Sequence, residues 1–251
     1  MSRKHVTTHL DNDHFLRYTL EEHFVLAPFD EDHMQERENE NPSIAPYTWL
    51  LSRRPNFMAS FTHPLRQEAV HHLALSKGHR ALDVGCGTGA SFPYLVEAVG
   101  NLSEVVGVEI SPEMAAQARK RVQNQGWSNV HVLEGAAHTV ELTGRFDGLL
   151  LFAAHEVLTS ALALDHLLAY LQEDAHVVAF GAKYSSSGRG VLINPLLGAI
   201  TRHLLPSSSA SIDEHPWRLL EERIGTLHKE ERAHGLMYLV WGSLRPTEGP
   251  L

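Results

Sequence analysis

The chain has one cysteine in 251 residues, Cys86, so no disulfide within the chain can form, which fits a reducing, cytoplasmic setting. Nowhere do apolar residues run long enough to cross a bilayer, for which about 18 are needed. The opening MSRKHVTTHLDNDHF lacks the apolar centre of a secretory leader. Basic residues are outnumbered, 21 Lys and Arg against 30 Asp and Glu. Nucleic acid is therefore a poor partner, because phosphate backbones reward clustered cations. Histidine is abundant, 18 residues, yet no H-E-x-x-H motif appears, and the adjacent His71 and His72 diverge on a helix. No metal is expected, and a mild response to pH near neutrality fits histidine better.

What is present is unevenly distributed. Residues 1–46 hold ten acidic and four basic side chains, six of the nine net negative charges, and read as a solvated face. Leu16, Leu20 and Phe24 form one helical stripe before Pro28 and an acidic run, and Tyr47 to Leu51 begins a second apolar patch. Thr62 is the expected cap of a helix with Leu65, Ala69 and Leu73 on its apolar face, ending at Lys77-Gly78. Residues 1–77 thus form a helical extension in front of an α/β core spanning 78–251.

The core is organised around RALDVGCGTGAS, residues 80–91. An apolar strand runs into Gly85, Gly87 and Gly89, and a helix follows from Phe92 to Val99. Close glycines permit left-handed backbone, and a helix N-terminus after a tight turn points N–H groups at a ligand. Glu104 to Ile110 is a near-continuous apolar run, the pattern of a strand buried on both faces. Its Glu109 stands where a carboxylate can accept from both hydroxyls of a ribose. Ser111-Pro112-Glu113 starts a helix that Gly126 stops. Asn129 to Leu133 and Phe146 to Phe152 are strands. Val157 to Leu171 reads as one helix, Gln172 to Asp174 as a turn, and Ala175 to Phe180 as the fifth strand. Lys183 and Tyr184 follow it, facing either a substrate or solvent. Residues 191–205 are greasy, consistent with core, a lid, or a surface touching a membrane or partner. Asp213 to Arg223 is a helix. Gly225 to Arg232 and Gly235 to Leu244 are two last strands across a hairpin-length turn.

Asp83-Val84-Gly85-Cys86-Gly87-Thr88-Gly89 resembles motif I of class I S-adenosylmethionine-dependent methyltransferases, acidic-x-Gly-x-Gly-x-Gly. Gly85, Gly87 and Ala90 also satisfy the dinucleotide fingerprint, which keeps an NAD-dependent enzyme as an alternative. The closing hairpin favours the methyltransferase, whose Rossmann-like, mostly parallel seven-stranded sheet ends in an antiparallel strand, with helices on both faces. The resemblance covers about residues 78–244. It implies S-adenosylmethionine as cofactor, approached by Gly85, Gly87 and Gly89, with Asp83 at its methionine amino end and Glu109 on its ribose. It also implies Ala136 and Ala137 beside the adenine, and Ile110, Phe152 and Cys86 among the cofactor-binding residues, Cys86 packing within the turn. Ala136 stands where the family often has an Asp. His155, at the end of the fourth strand, is the candidate base on the acceptor side. The implied reaction moves a methyl group to an O, N or C atom of a small, partly apolar acceptor, in a layout like that of quinone and phospholipid head-group methyltransferases. The N-terminal helices and an insertion at 185–222 would cover that acceptor. A non-catalytic SAM-binding subunit is the other alternative.

Overall fold

The computed structural model describes residues 55–185, 191, 194 and 215–244. The expected helix around Leu16 to Phe24, the patch at Tyr47 to Leu51 and the greasy 191–205 segment, apart from Val191 and Asn194, lie outside these residues.

The described elements are α1 (Pro55–His72), β1 (Ala81–Val84), α2 (Phe92–Val99), β2 (Val105–Glu109), α3 (Pro112–Gln125), β3 (Val130–Glu134), β4 (Phe146–Phe152), α4 (His155–Leu158), α5 (Ala161–Leu168), β5 (Leu171–Ala182), α6 (Arg218–Ile224), β6 (His228–Arg232) and β7 (Met237–Ser243). The strands form one sheet in the order β3-β2-β1-β4-β5-β7-β6. The first five are parallel, and β7 runs antiparallel between β5 and β6. Every residue of β1 and β2 is buried, so the apolar runs of the sequence are strands covered on both faces.

Alternation along the strands sorts the core into two layers. Leu82, Val84, Leu149 and Leu151 pack with Leu164, Leu167, Trp217 and Leu220 beneath α5 and α6. Ala81, Leu150 and Val178 pack with Leu65, Ala69, Leu73, Phe92 and Leu95 beneath α1 and α2. The chain leaves β1 outward to β2 and β3, then returns to β4 on the other side of β1. A crevice at such a reversal, outside the carboxyl ends of the strands, is where open α/β sheets bind ligands. The opposite edge is tied shut. Arg80 donates through its backbone N–H to Asp147 Oδ2 at 2.7 Å and through Nε to Glu104 Oε2 at 2.9 Å, joining β1, β2 and β4 at their amino ends.

Local signals set several boundaries. The Ser111 hydroxyl accepts from Met114 N–H at 3.3 Å, Pro112 opens α3, and Gly126 closes it at φ +66°. Three expectations are corrected. Thr62 lies inside α1, its hydroxyl accepting from Arg66 Nε at 3.2 Å, and the helix ends at His72 rather than Lys77. The Val157–Leu171 helix is two pieces, because the Ser160 hydroxyl accepts from Ala163 N–H and starts a new helix there. Gln172 to Asp174 belong to β5, which begins at Leu171 because that residue pairs with Phe146 of β4.

Candidate functional site

Three segments meet at the carboxyl edge where the strand order reverses. The first is the turn after β1. Gly85, Gly87 and Gly89 have φ of +70°, +57° and +73°, the left-handed region that side chains resist. Their surroundings differ. A Cβ on Gly85 would come within 2.9 Å of the Ala154 Cβ, and one on Gly89 within 2.5 Å of the Phe92 ring. A Cβ on Gly87 would meet nothing closer than Met114 Sδ at 3.9 Å. Gly85 and Gly89 are thus required by packing, whereas Gly87 borders open space.

The second segment is the end of β2. The two oxygens of Glu109 accept from backbone N–H groups of Gly87 (2.9 Å) and Ser111 (2.9 Å). This carboxylate therefore shapes the glycine turn as well as facing the crevice, and each oxygen retains acceptor capacity. Burial pushes its pKa up, against the pull of those N–H groups. Ile110 beside it is 55 % exposed, an apolar side chain left uncovered at the crevice rim. Gly135 N–H donates to the Glu109 carbonyl at 3.0 Å, which brings Ala136 and Ala137, both half-buried, to the same edge.

The third segment follows β4. Ala153 has φ +60°, a costly conformation for a residue with a Cβ. Its N–H donates to the Phe180 carbonyl at 2.8 Å, and the bend throws Ala154 against Gly85 and starts α4 at His155. His155 is half-buried, and its carbonyl accepts from Thr159.

Asp83 lies behind the turn, 1 % exposed, and among the described residues neither carboxylate oxygen finds a hydrogen-bond donor. Burial pushes its pKa up to about 7, with Glu109 adding to the rise and Arg66 opposing it. Ser91 stands near and favours the ionised form, though its geometry falls short of a hydrogen bond. A buried carboxylate without donors is costly unless a cation or donor is supplied from outside. Cys86 is buried, and burial raises its thiol pKa, so it packs rather than reacts.

Phe152, the last residue of β4, is also buried. It stacks on Phe180 with centroids 4.5 Å apart, and the Arg66 guanidinium lies 4.0 Å over its ring. Lys183 faces neither solvent nor an open acceptor space. It is fully buried, and its Nζ pairs with Glu231 Oε1 of β6 at 2.9 Å.

Sequence reasoning missed Arg66, Ser91 and Arg121. Arg66 Nη1 donates to the Ser91 hydroxyl at 2.7 Å, bridging α1 to the start of α2. Arg121 Nε of α3 donates to the Thr88 carbonyl at 2.9 Å and fixes the glycine turn from the far side. A signal for Arg66 was available. It falls on the same helical stripe as Ala69, Val70 and Leu73, and a charge on a core-facing stripe needs partners.

The strand order and the antiparallel β7 define a Rossmann-like, mostly parallel sheet, with the acidic-glycine turn at its reversal. Residues 81–175 match a family described as a methyltransferase domain. A demethylmenaquinone methyltransferase from Geobacillus kaustophilus is 37 % identical over 86 residues, 34 % of this chain and 37 % of that protein. Aklanonic acid methyltransferase DauC from a Streptomyces species is 39 % identical over 62 residues, 25 % of this chain and 28 % of its own. The matches thus span about a third of these relatives' length. Among solved structures, a SAM-dependent methyltransferase from Aquifex aeolicus superposes with a TM-score of 0.55 at 21 % identity, covering 71 % of this chain and 89 % of its own. The N-methyltransferase NodS from Bradyrhizobium japonicum gives 0.54 at 15 % identity over 74 % and 97 %. These likenesses share the fold.

Proposed function

We propose that this protein transfers the methyl group of S-adenosylmethionine to an O, N or C atom of a small, partly apolar molecule. The observation that carries the reading is Asp83, a buried carboxylate without a donor among the described residues, set behind the open side of Gly87 where the strand order reverses. That arrangement suits the cationic amino end of the cofactor's methionine portion. Gly87 lets the backbone approach the ligand. Glu109 has acceptor capacity left for ribose hydroxyls, and exposed Ile110 offers apolar cover to adenine, flanked by Ala136 and Ala137. Phe152 supports the pocket floor beneath Arg66.

When bound, the cofactor supplies a methyl group already activated on sulfonium, so the chain's task is positioning and exclusion of water. His155 stands beside the glycine turn at the head of α4, suited to take the proton of a hydroxyl acceptor. An amine acceptor needs no such base. The relatives named for demethylmenaquinone and aklanonic acid, a quinone and a carboxylic acid by name, support a small organic acceptor. The helical extension is well placed to cover it, since α1 lies over the sheet beside the site. Among the described residues no helix is long and apolar enough to cross a membrane. With the single cysteine, that supports work in the cytoplasm.

Isothermal titration with S-adenosylmethionine, S-adenosylhomocysteine and NAD tests the cofactor. Micromolar binding of the first two, weakened by Glu109→Ala, is the expected outcome. Preference for NAD overturns the reading. Labelled methyl transfer to a panel of quinols, phenols and amines then identifies the acceptor, and His155→Gln should slow hydroxyl acceptors while sparing amines.

A further inference from the structure

We propose that the loop edge at Ala136 and Ala137 does not read the exocyclic group at position 6 of the cofactor's purine, so that the chain takes a 6-oxo (hypoxanthine) nucleoside about as readily as the 6-amino (adenine) one. The inference rests on the cofactor reading above and deepens it, with Ala136 as the residue that sets base selectivity.

To favour adenine over hypoxanthine, a site must offer an acceptor to the 6-amino N–H, because the 6-oxo group only accepts. A buried acceptor of that kind discriminates strongly, since the wrong base leaves it unpaired. Among the described residues, the acceptors around this edge are committed elsewhere. Glu109 accepts from the N–H groups of Gly87 and Ser111, both at 2.9 Å, which aims it along the glycine turn. Glu134, the last residue of β3, pairs with Arg119 Nη1 of α3 at 3.2 Å. Gly135 N–H donates to the Glu109 carbonyl at 3.0 Å, so the sheet fixes where residue 136 stands. There the side chain is only a methyl group. The Ala136 carbonyl accepts from Thr139 N–H at 3.0 Å and from Val140 N–H at 2.9 Å, which occupies both of its lone pairs. The Thr139 hydroxyl is folded onto the same carbonyl at 3.5 Å.

The edge also borders water. Ala136 and Ala137 are half-buried, and His138 and Thr139 beyond them are exposed. A 6-substituent against such a rim keeps its hydration whether it donates or accepts, so neither base loses a hydrogen bond on binding. What holds the base is then apolar cover from Ile110 and the two alanine methyl groups, and apolar cover distinguishes bases of equal size weakly.

S-adenosylhomocysteine and S-inosylhomocysteine, its 6-oxo analogue, are the probes. Each is titrated calorimetrically into the full chain and into Ala136→Asp at about pH 7.5, where an added carboxylate on this rim is ionised. The expected result is dissociation constants less than about tenfold apart in the native protein. In Ala136→Asp the amino group gains a charged acceptor and the oxo group meets a second acceptor. The ratio should therefore widen by at least about tenfold in favour of S-adenosylhomocysteine. A preference of tenfold or more in the native protein means that an acceptor does read the amino group, and overturns the proposal. That comparison decides alone if Ala136→Asp does not fold. An unchanged ratio in Ala136→Asp with a native circular dichroism spectrum puts the base elsewhere, and overturns it as well. Failure of the native protein to bind either probe overturns the cofactor reading instead.

Discussion

At the scale of single residues, the glycine turn separates positions required by the fold from positions open to a ligand. Gly107 on β2 has ordinary backbone, but a Cβ there would meet the Phe92 ring at 2.5 Å and Cys86 Sγ at 3.0 Å. Gly107→Ala should therefore destabilise by about 1–3 kcal/mol through overpacking. Gly87→Ala has room for its methyl group and bears only the strain of φ +57°, on the order of 1 kcal/mol. Its methyl group, however, enters the space facing the crevice. Urea unfolding and titration with S-adenosylhomocysteine should thus rank the two oppositely: Gly107→Ala the less stable, Gly87→Ala the weaker binder by tenfold or more. Equal binding by Gly87→Ala and the native protein would place the ligand elsewhere.

Asp83 gives a second prediction at this scale. Its folded-state pKa is pushed up to about 7, so the folded chain holds the proton more tightly than the unfolded chain. That contribution to stability is complete below the ordinary carboxylate range and is lost as pH rises through about 7, an amount on the order of a few kcal/mol. Asp83→Asn mimics the protonated form at every pH. Its unfolding free energy relative to the native protein should be higher at pH 8 than near pH 4 to 5, while affinity for the cofactor is lost. Unfolding curves at both pH values check this, and the same pH slope in both proteins contradicts it.

At the scale of elements, α1 is held to the far side of the sheet by a stack as well as by Arg66. The Trp241 ring of β7 lies between His72 of α1, 3.8 Å between centroids, and His228 of β6, 5.4 Å. Arg232 of β6 pairs with Glu68 of α1 at 2.7 Å. Burial lowers the His72 pKa, the leading cause, against the pull of Glu68. The neutral ring is thus the form the docked helix prefers. Its contribution is present above the histidine's ordinary value and is lost as pH falls through the lowered folded value. Amide exchange in α1, corrected for intrinsic rates, should quicken relative to β1 between pH 7.5 and pH 5. His72→Phe should remove that difference.

Element boundaries also show what the sequence could and could not disclose. The start of α3 was legible because Ser111, Pro112 and Gly126 act within their own turn. The start of β5 was not, because Leu171 becomes strand only by pairing with Phe146 of β4, far away in sequence. Lys183 is the same case for a side chain. Period and spacing place it at the end of β5, but only the hairpin of β6 and β7 brings Glu231 to its ammonium. The glycine turn itself was legible for the opposite reason, since Asp83 to Gly89 is one continuous segment. Arg66, which reaches the turn from a separate helix, was overlooked.

At the scale of the whole molecule, the two edges of the sheet are built unequally. Arg80 fastens the amino edge through Glu104 and Asp147, and also donates from Nη1 to the Arg145 carbonyl at 2.9 Å. The carboxyl edge is left with a carboxylate that has no donor among the described residues, an exposed Ile110 and a strained Ala153. Such groups lower the stability of the empty protein, and a ligand that satisfies them returns that stability to the folded state. S-adenosylhomocysteine at 100 times its dissociation constant should stabilise the chain by about 2.7 kcal/mol, a rise in Tm of several degrees. Amide exchange should place the added protection unevenly, at Gly85 to Gly89, at Ile110 and Ser111, and at Ala153 to His155. The amino ends of β1, β2 and β4 should change only as far as global opening is suppressed. Protection centred on the Arg80 edge, or a Tm raised by NAD instead, would mean that the unequal edges serve something other than this cofactor.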